Sequence, residues 1–171
     1  MSSLTPNTRG ATANITVQIA KEFTEIDLDR RRMRRLVRAV CRNFGLTRAT
    51  VSIAVVSDAQ FRDVNKRFLN RRSSSDCLSF DLSDRTEADS PAMFELVVNA
   101  ETAVRQARLR GHSSQAELAL YVTHGLLHNL GFNDAKPVQA RQMHETQDRI
   151  LQELGYGSVY NTKIRSAKLR R

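Results

Sequence analysis

His124-Gly125-Leu126-Leu127-His128-Asn129-Leu130-Gly131-Phe132-Asn133-Asp134 is the stretch around which this chain organises. On a helix, residues at i and i+4 are neighbours, with Cβ atoms about 5–6 Å apart. His124 and His128 can therefore reach one cation at about 2.0–2.1 Å per Zn–N bond. Gly131 can take the left-handed backbone that ends a helix, so that the chain turns back and Asp134 supplies a third ligand. Three protein ligands leave a position for water, the layout of a catalytic zinc site rather than a structural one. The expectation is one Zn2+ per chain, with His124, His128 and Asp134 as both metal ligands and catalytic residues. Two histidines at this spacing also arise by chance in a hydrogen-bonded core. Here an apolar helix, a glycine and a carboxylate fall in register with them, and structural context is what gives a motif weight.

The helix that carries the pair is apolar nearly all round, with Leu118, Leu120, Val122, Leu126, Leu127 and Leu130. A helix without a polar face is a buried one. Ser113 or Ser114 can cap it, with Glu117 completing a capping box after Ser114. Tyr121 reads as packing that can border a cleft. His112 and His144 read as exposed, His144 being the alternative third ligand.

Upstream, alternation at Ile15, Val17 and Ile19 predicts a strand over 14–20, and 50–56 (TVSIAVV) predicts a second. Between them a helix capped by Asp27 or Asp29 runs to about Asn43. Met33, Leu36, Val37, Val40 and Phe44 form its core stripe, and Arg31, Arg35, Arg38 and Arg42 another face. Asp58 is expected to cap a short helix through Phe68, with Phe61, Val64 and Phe68 inward. A third strand places Leu78, Phe80 and Leu82 on its buried side, opposite Cys77, Ser79 and Asp81. Met93–Asn99 is a fourth strand, Ala100–Gly111 a helix, and Pro137 opens a last helix over 138–154. This order predicts an α+β fold, a small mixed sheet of about four strands packed with about five helices, with a metalloprotease-like metal helix in the centre. Residues 1–13 read as disordered, 14–154 as a single metal-dependent hydrolase domain, and 155–171 as a basic mobile tail.

A net charge of +9 over 171 residues favours polyanionic partners, with nucleic acid foremost. Cys41 and Cys77 sit among apolar residues without metal or disulfide spacing, as small core hydrophobes in a reducing compartment. No apolar run is long enough to span a membrane. The first residues show no basic-then-apolar signal, so the expected location is cytoplasmic, without membrane association.

The histidine, glycine and third-ligand spacing has the period of the metzincin template, HExxHxxGxxH. Peptidases of that type use a glutamate beside the first histidine as general base. Gly125 stands in that place, which argues against peptide hydrolysis.

At these residues the chain resembles the YbeY-type bacterial endoribonucleases of rRNA maturation and ribosome quality control. Their signature HGxLHLxGYDH is similar to HGLLHNLGFND at 124–134. The first two family ligands fall on His124 and His128, and the third falls on Asp134, a departure in ligand type that zinc accepts. Asn129, Phe132 and Asn133 differ too. A second family segment, LNxxYRxxDxPTDVLSF, is similar to residues 64–80, where Asn65, Asp76, Leu78, Ser79 and Phe80 match and the family's functional arginine falls on Leu69. Glu95 to Ala103 is similar to the strand and helix before the metal helix, and the resemblance covers roughly residues 15–154. It implies a zinc-dependent, single-strand-specific endoribonuclease that acts on rRNA and ribosomal particles in ribosome biogenesis. Arg67, Arg71 and Arg72 in the loop before the third strand, with Arg31, Arg35 and Arg38, are the candidates for holding the RNA backbone. Asp76 and Ser79 can line the cleft or serve a turn and a strand. Either water or the RNA 2′-hydroxyl can be the nucleophile. The rival readings are a metallopeptidase-like hydrolase and a non-catalytic RNA-binding assembly factor, the latter favoured by Leu69 and Asp134.

Overall fold

Four strands, β1 (Asn14–Lys21), β2 (Arg48–Val56), β3 (Cys77–Asp81) and β4 (Ala92–Asn99), form one sheet in the order β1-β2-β4-β3. The first three in that order run parallel, and β3 is antiparallel to β4 at the edge. Five helices accompany them, α1 (Arg30–Asn43), α2 (Asp58–Leu69), α3 (Ala100–Arg110), α4 (Ser114–Asn129) and α5 (Pro137–Glu153). The computed structural model describes residues 12–70, 75–157 and 159. Arg71, Arg72, nearly all of the expected disordered N-terminus and most of the expected basic tail lie outside the described residues.

One face of the sheet carries the main core. Val17, Val51 and Phe94 lie in register across it, as do Ile53, Leu96 and Ser79, and α1 and α4 pack here. On α1, Met33, Leu36, Val37, Val40 and Cys41 are buried, and Asp29 caps the helix by accepting from the Arg32 amide. Burial also holds the Cys41 thiol protonated, its pKa pushed up to about 11. The opposite face has a smaller cluster, Val56, Phe61 and Leu78, with Val64 and Phe80 against it.

Three local expectations are corrected. Ser57, not Asp58, caps α2, in a reciprocal box with Gln60, because Asp58 is already the first helical residue. Phe68 is not inward: the residue is 70 % exposed and its ring leans on Phe80 of the edge strand β3 at 5.9 Å. The phase of β3 is also inverted relative to the main core. Cys77 and Ser79 face α4, while Leu78 and Phe80 cover the α2 side; Leu82 lies beyond the strand and is half exposed.

Helix α4 is buried from Ala116 to Thr123 and from Gly125 to Leu127. It touches β3, β4, α1, α3 and α5. Close approach to β3 is possible because Gly125 has no side chain. A Cβ there would lie 2.8 Å from Cys77 Sγ and 3.0 Å from Leu96 Cδ2. Among the described residues no helix is long and apolar enough to cross a membrane.

Candidate metal centre

The helix carrying His124 and His128 stops at Gly131, whose φ of +99° only glycine adopts without strain. The Phe132 amide donates to the Leu127 carbonyl at 3.0 Å and the Gly131 amide to that of His128 at 3.1 Å, which satisfies the helix end in a Schellman turn. The chain then doubles back and brings Asp134 over the last turn. One donor atom each from His124, His128 and Asp134 lies within 4.8 Å of the others.

The hydrogen bonds behind the two rings decide what they present. His124 Nδ1 lies 2.7 Å from Oε1 of Gln147, a side chain only 1 % exposed. An amide oxygen accepts, so Nδ1 carries the proton and Nε2 keeps its lone pair. His128 Nδ1 donates in the same way to the Phe132 carbonyl at 3.2 Å. The two bare Nε2 atoms face each other at 3.0 Å, with Asp134 Oδ2 at 3.6 and 3.7 Å. Three electron-pair donors aimed at one point repel unless a cation lies between them. Tetrahedral ligands at zinc bond lengths stand about 3.3 Å apart, and the three separations bracket that value. The donor set fits a metal ion and suits zinc.

The group opens into a cleft of 570 Å³ whose lining includes Asp76, Arg110, Tyr121, His144 and Gln147 besides His124 and Asp134. A larger cavity of 820 Å³ lies beyond the C-terminal end of α4, between Arg48, Arg85 and Asn129, and holds none of the three donors. His144, expected to be exposed, is half-buried in the cleft wall. Burial and then the neighbouring His124 hold its pKa below the usual imidazole range, against the pull of Asp134 and Asp148. His112 is also not exposed: its side chain is 14 % accessible and bound to Glu117. Glu117 completes no capping box. Ser113 is the cap, and Glu117 is buried without exposure, accepting from Arg110 at 2.9 Å. Tyr121 is buried beside it; burial and then the Glu117 charge push its hydroxyl pKa up. Asp76 borders the cleft and its Oδ1 accepts from the Cys77 amide at 2.7 Å. Ser79 faces Gly125.

Of the arginines read as RNA contacts, Arg67, Arg31, Arg35 and Arg38 do not line this cleft, and Arg67 lies on α2 rather than in the loop before β3. Arg67 pairs with Asp63 at 3.2 Å. Arg31, Arg35 and Arg38 line a separate surface groove with Arg32 and Arg42. Arg38 also donates to the Ile15 carbonyl at 3.2 Å. Arg110 and Gln147, which do line the cleft, come from α3 and α5, and no spacing within the histidine motif points to them.

A protein from Anaeromyxobacter sp. (strain Fw109-5) named Endoribonuclease YbeY is 31 % identical over 141 residues, 82 % of this chain and 73 % of that protein. Another so named, from Thermobifida fusca, is 30 % identical over 80 % of this chain and 92 % of its own length. The solution structure of TM1509 from Thermotoga maritima superposes with a TM-score of 0.57 at 18 % identity, covering 89 % of this chain and 93 % of that one, which shows a shared fold. The model of the family described as Endoribonuclease YbeY matches residues 17–155; the chain belongs to that family.

Proposed function

We propose that this chain is a zinc-dependent, single-strand-specific endoribonuclease acting on rRNA and ribosomal particles in ribosome maturation and quality control, in the cytoplasm, with residues 14–154 as its catalytic domain. The observation that carries the reading is the convergence of His124, His128 and Asp134 with both imidazole tautomers set from behind by Gln147 and the Phe132 carbonyl. A zinc ion bound there would lower the pKa of a water and polarise a phosphoryl oxygen. The protein's part is to hold the two rings rigidly on a buried helix and to keep the Asp134 carboxylate, 42 % exposed, at the open side. The basic side chains Arg67, Arg71, Arg72, Arg31, Arg35 and Arg38 draw in and hold the RNA backbone. Peptide hydrolysis is disfavoured, because a base beside His124 would have to occupy the space filled by Cys77 and Leu96.

The purified protein is expected to bind one zinc ion per chain and to cut single-stranded RNA. Loss of a ligand removes the site, so His128→Ala abolishes cleavage, and Asp134→Ala lowers the zinc content measured by atomic emission. Cleavage that persists in His124→Ala/His128→Ala with chelator present would overturn the assignment. Zinc binding without RNA cleavage would favour the assembly-factor reading.

A further inference from the structure

We propose that Arg110 is a phosphate-binding residue of the cleft, aimed by the buried carboxylate of Glu117 at an RNA phosphate next to the one at the metal ligands; this rests on the nuclease reading. Arg110 closes α3, and Gly111, at φ +73°, turns the chain so that the guanidinium lies back over α4. Among the described residues it is the one arginine or lysine that lines the cleft of His124 and Asp134. Its side chain is 15 % exposed and donates from Nη1 to Glu117 Oε1 at 2.9 Å. A guanidinium has five N–H donors. Here the bond to Glu117 engages Nη1 and Nε is buried, so the donors left for an acceptor entering from the cleft are those of the outer end of the fork.

Glu117 is what makes this a built site. It is buried without exposure, and its second oxygen meets His112. A carboxylate is expensive to bury unless paired, and apolar residues join two helices at least as well. What an apolar pair cannot do is hold a cation at fixed orientation on a cleft wall. Residues 117, 121, 124 and 128 follow one face of α4, and Glu117 precedes His124 by two turns, about 10 Å along the axis. With Glu117 holding it two turns before His124, Arg110 is placed for a neighbouring phosphate rather than the scissile one. Arginine suits the role because its planar fork binds phosphate oxygens in pairs.

The test is a cycle between Arg110→Gln and single neutral methylphosphonate linkages placed along a short single-stranded RNA. Arg110→Gln is expected to lower kcat/KM by about 10- to 100-fold, chiefly through KM, with zinc content unchanged and with part of the loss restored by Arg110→Lys. One linkage beside the cleavage position should cost the wild type the same factor and cost Arg110→Gln nothing more. Because Arg110→Gln takes one of its two partners from a buried carboxylate, the cycle is repeated in Arg110→Gln/Glu117→Gln, which removes both charges. Losses that multiply at every linkage in both backgrounds overturn the proposal. If the wild type cuts no RNA, the same cycle is read as affinity for an uncleavable 2′-O-methyl oligonucleotide. A non-additive linkage then supports Arg110 while the nuclease reading falls, and additive losses overturn Arg110 as well.

Discussion

Gly125 joins two properties of this protein in a single residue. It leaves the place beside His124 without a carboxylate, and it lets α4 approach β3 until Cys77 Sγ lies 2.8 Å from where its Cβ would be. Close approach, not backbone freedom, is the reason, since Gly125 sits mid-helix without a positive φ. Gly125→Ala gains about 1 kcal/mol of helix propensity but overpacks the contact at about 1–3 kcal/mol. A net loss of about 1 kcal/mol is expected by urea unfolding. Adding Cys77→Ala removes the clashing sulfur and should return most of it. An equal loss in both backgrounds would mean that the crowding lies elsewhere, against Leu96 or Ser79.

At the scale of elements, legibility follows from whether a segment keeps a phase. Strands β1, β2 and β4 alternate cleanly, and α4 announces itself by having no polar face. Strand β3 alternates too, but its apolar side is not the one that meets the main core, because its small residues Cys77 and Ser79 meet the glycine of α4 while Leu78 and Phe80 cover α2. A strand packed on both faces is not oriented by its alternation alone. Glu117 was hidden differently: with Ser113 as cap it falls past the capping-box position, and its partners come from the preceding helix and turn. The triad itself is legible because its spacing is local, whereas Gln147 and Arg110 are brought in by packing. Helix α1 poses a separate question, for seven of its fourteen residues are arginine and its first turn has no acid. Cations at a helix N-terminus oppose the dipole, and like charges at i,i+4 destabilise. Among the described residues none of Arg31, Arg35 and Arg42 has an ion-pair partner, so an external polyanion would relieve the helix. Arg31→Ala/Arg35→Ala/Arg42→Ala should reduce the slope of log affinity against log salt for single-stranded RNA by about 2, at about 0.7 per phosphate contact. An unchanged slope would make this face ordinary solvated surface.

Across the whole molecule, the core and the candidate metal ligands are separate. Leu118, Val122, Leu126 and Leu127 are fully buried, and each large side chain so buried contributes about 1.5–3 kcal/mol. His124, His128 and Asp134 sit at the rim, with side chains 23, 34 and 42 % exposed. The fold is therefore complete without an ion, unlike a zinc finger, which is unfolded when its metal is removed. Chelation is expected to leave the far-UV circular dichroism intact, whereas loss of helical signal on chelation would place the metal in the core energetics and contradict the separation. Zinc at about 1,000 times its Kd adds about 4 kcal/mol of stability, which raises Tm by about 10 °C for a chain of this size. Gln147→Leu tests the same balance from behind the ligands. It frees the His124 tautomer, lowers zinc affinity by about 10- to 100-fold, and so shrinks the zinc-dependent rise in Tm by about a third to two thirds at fixed zinc. The apo Tm should move far less, because the acceptor of Gln147 serves the ring of His124 rather than the packing of α4.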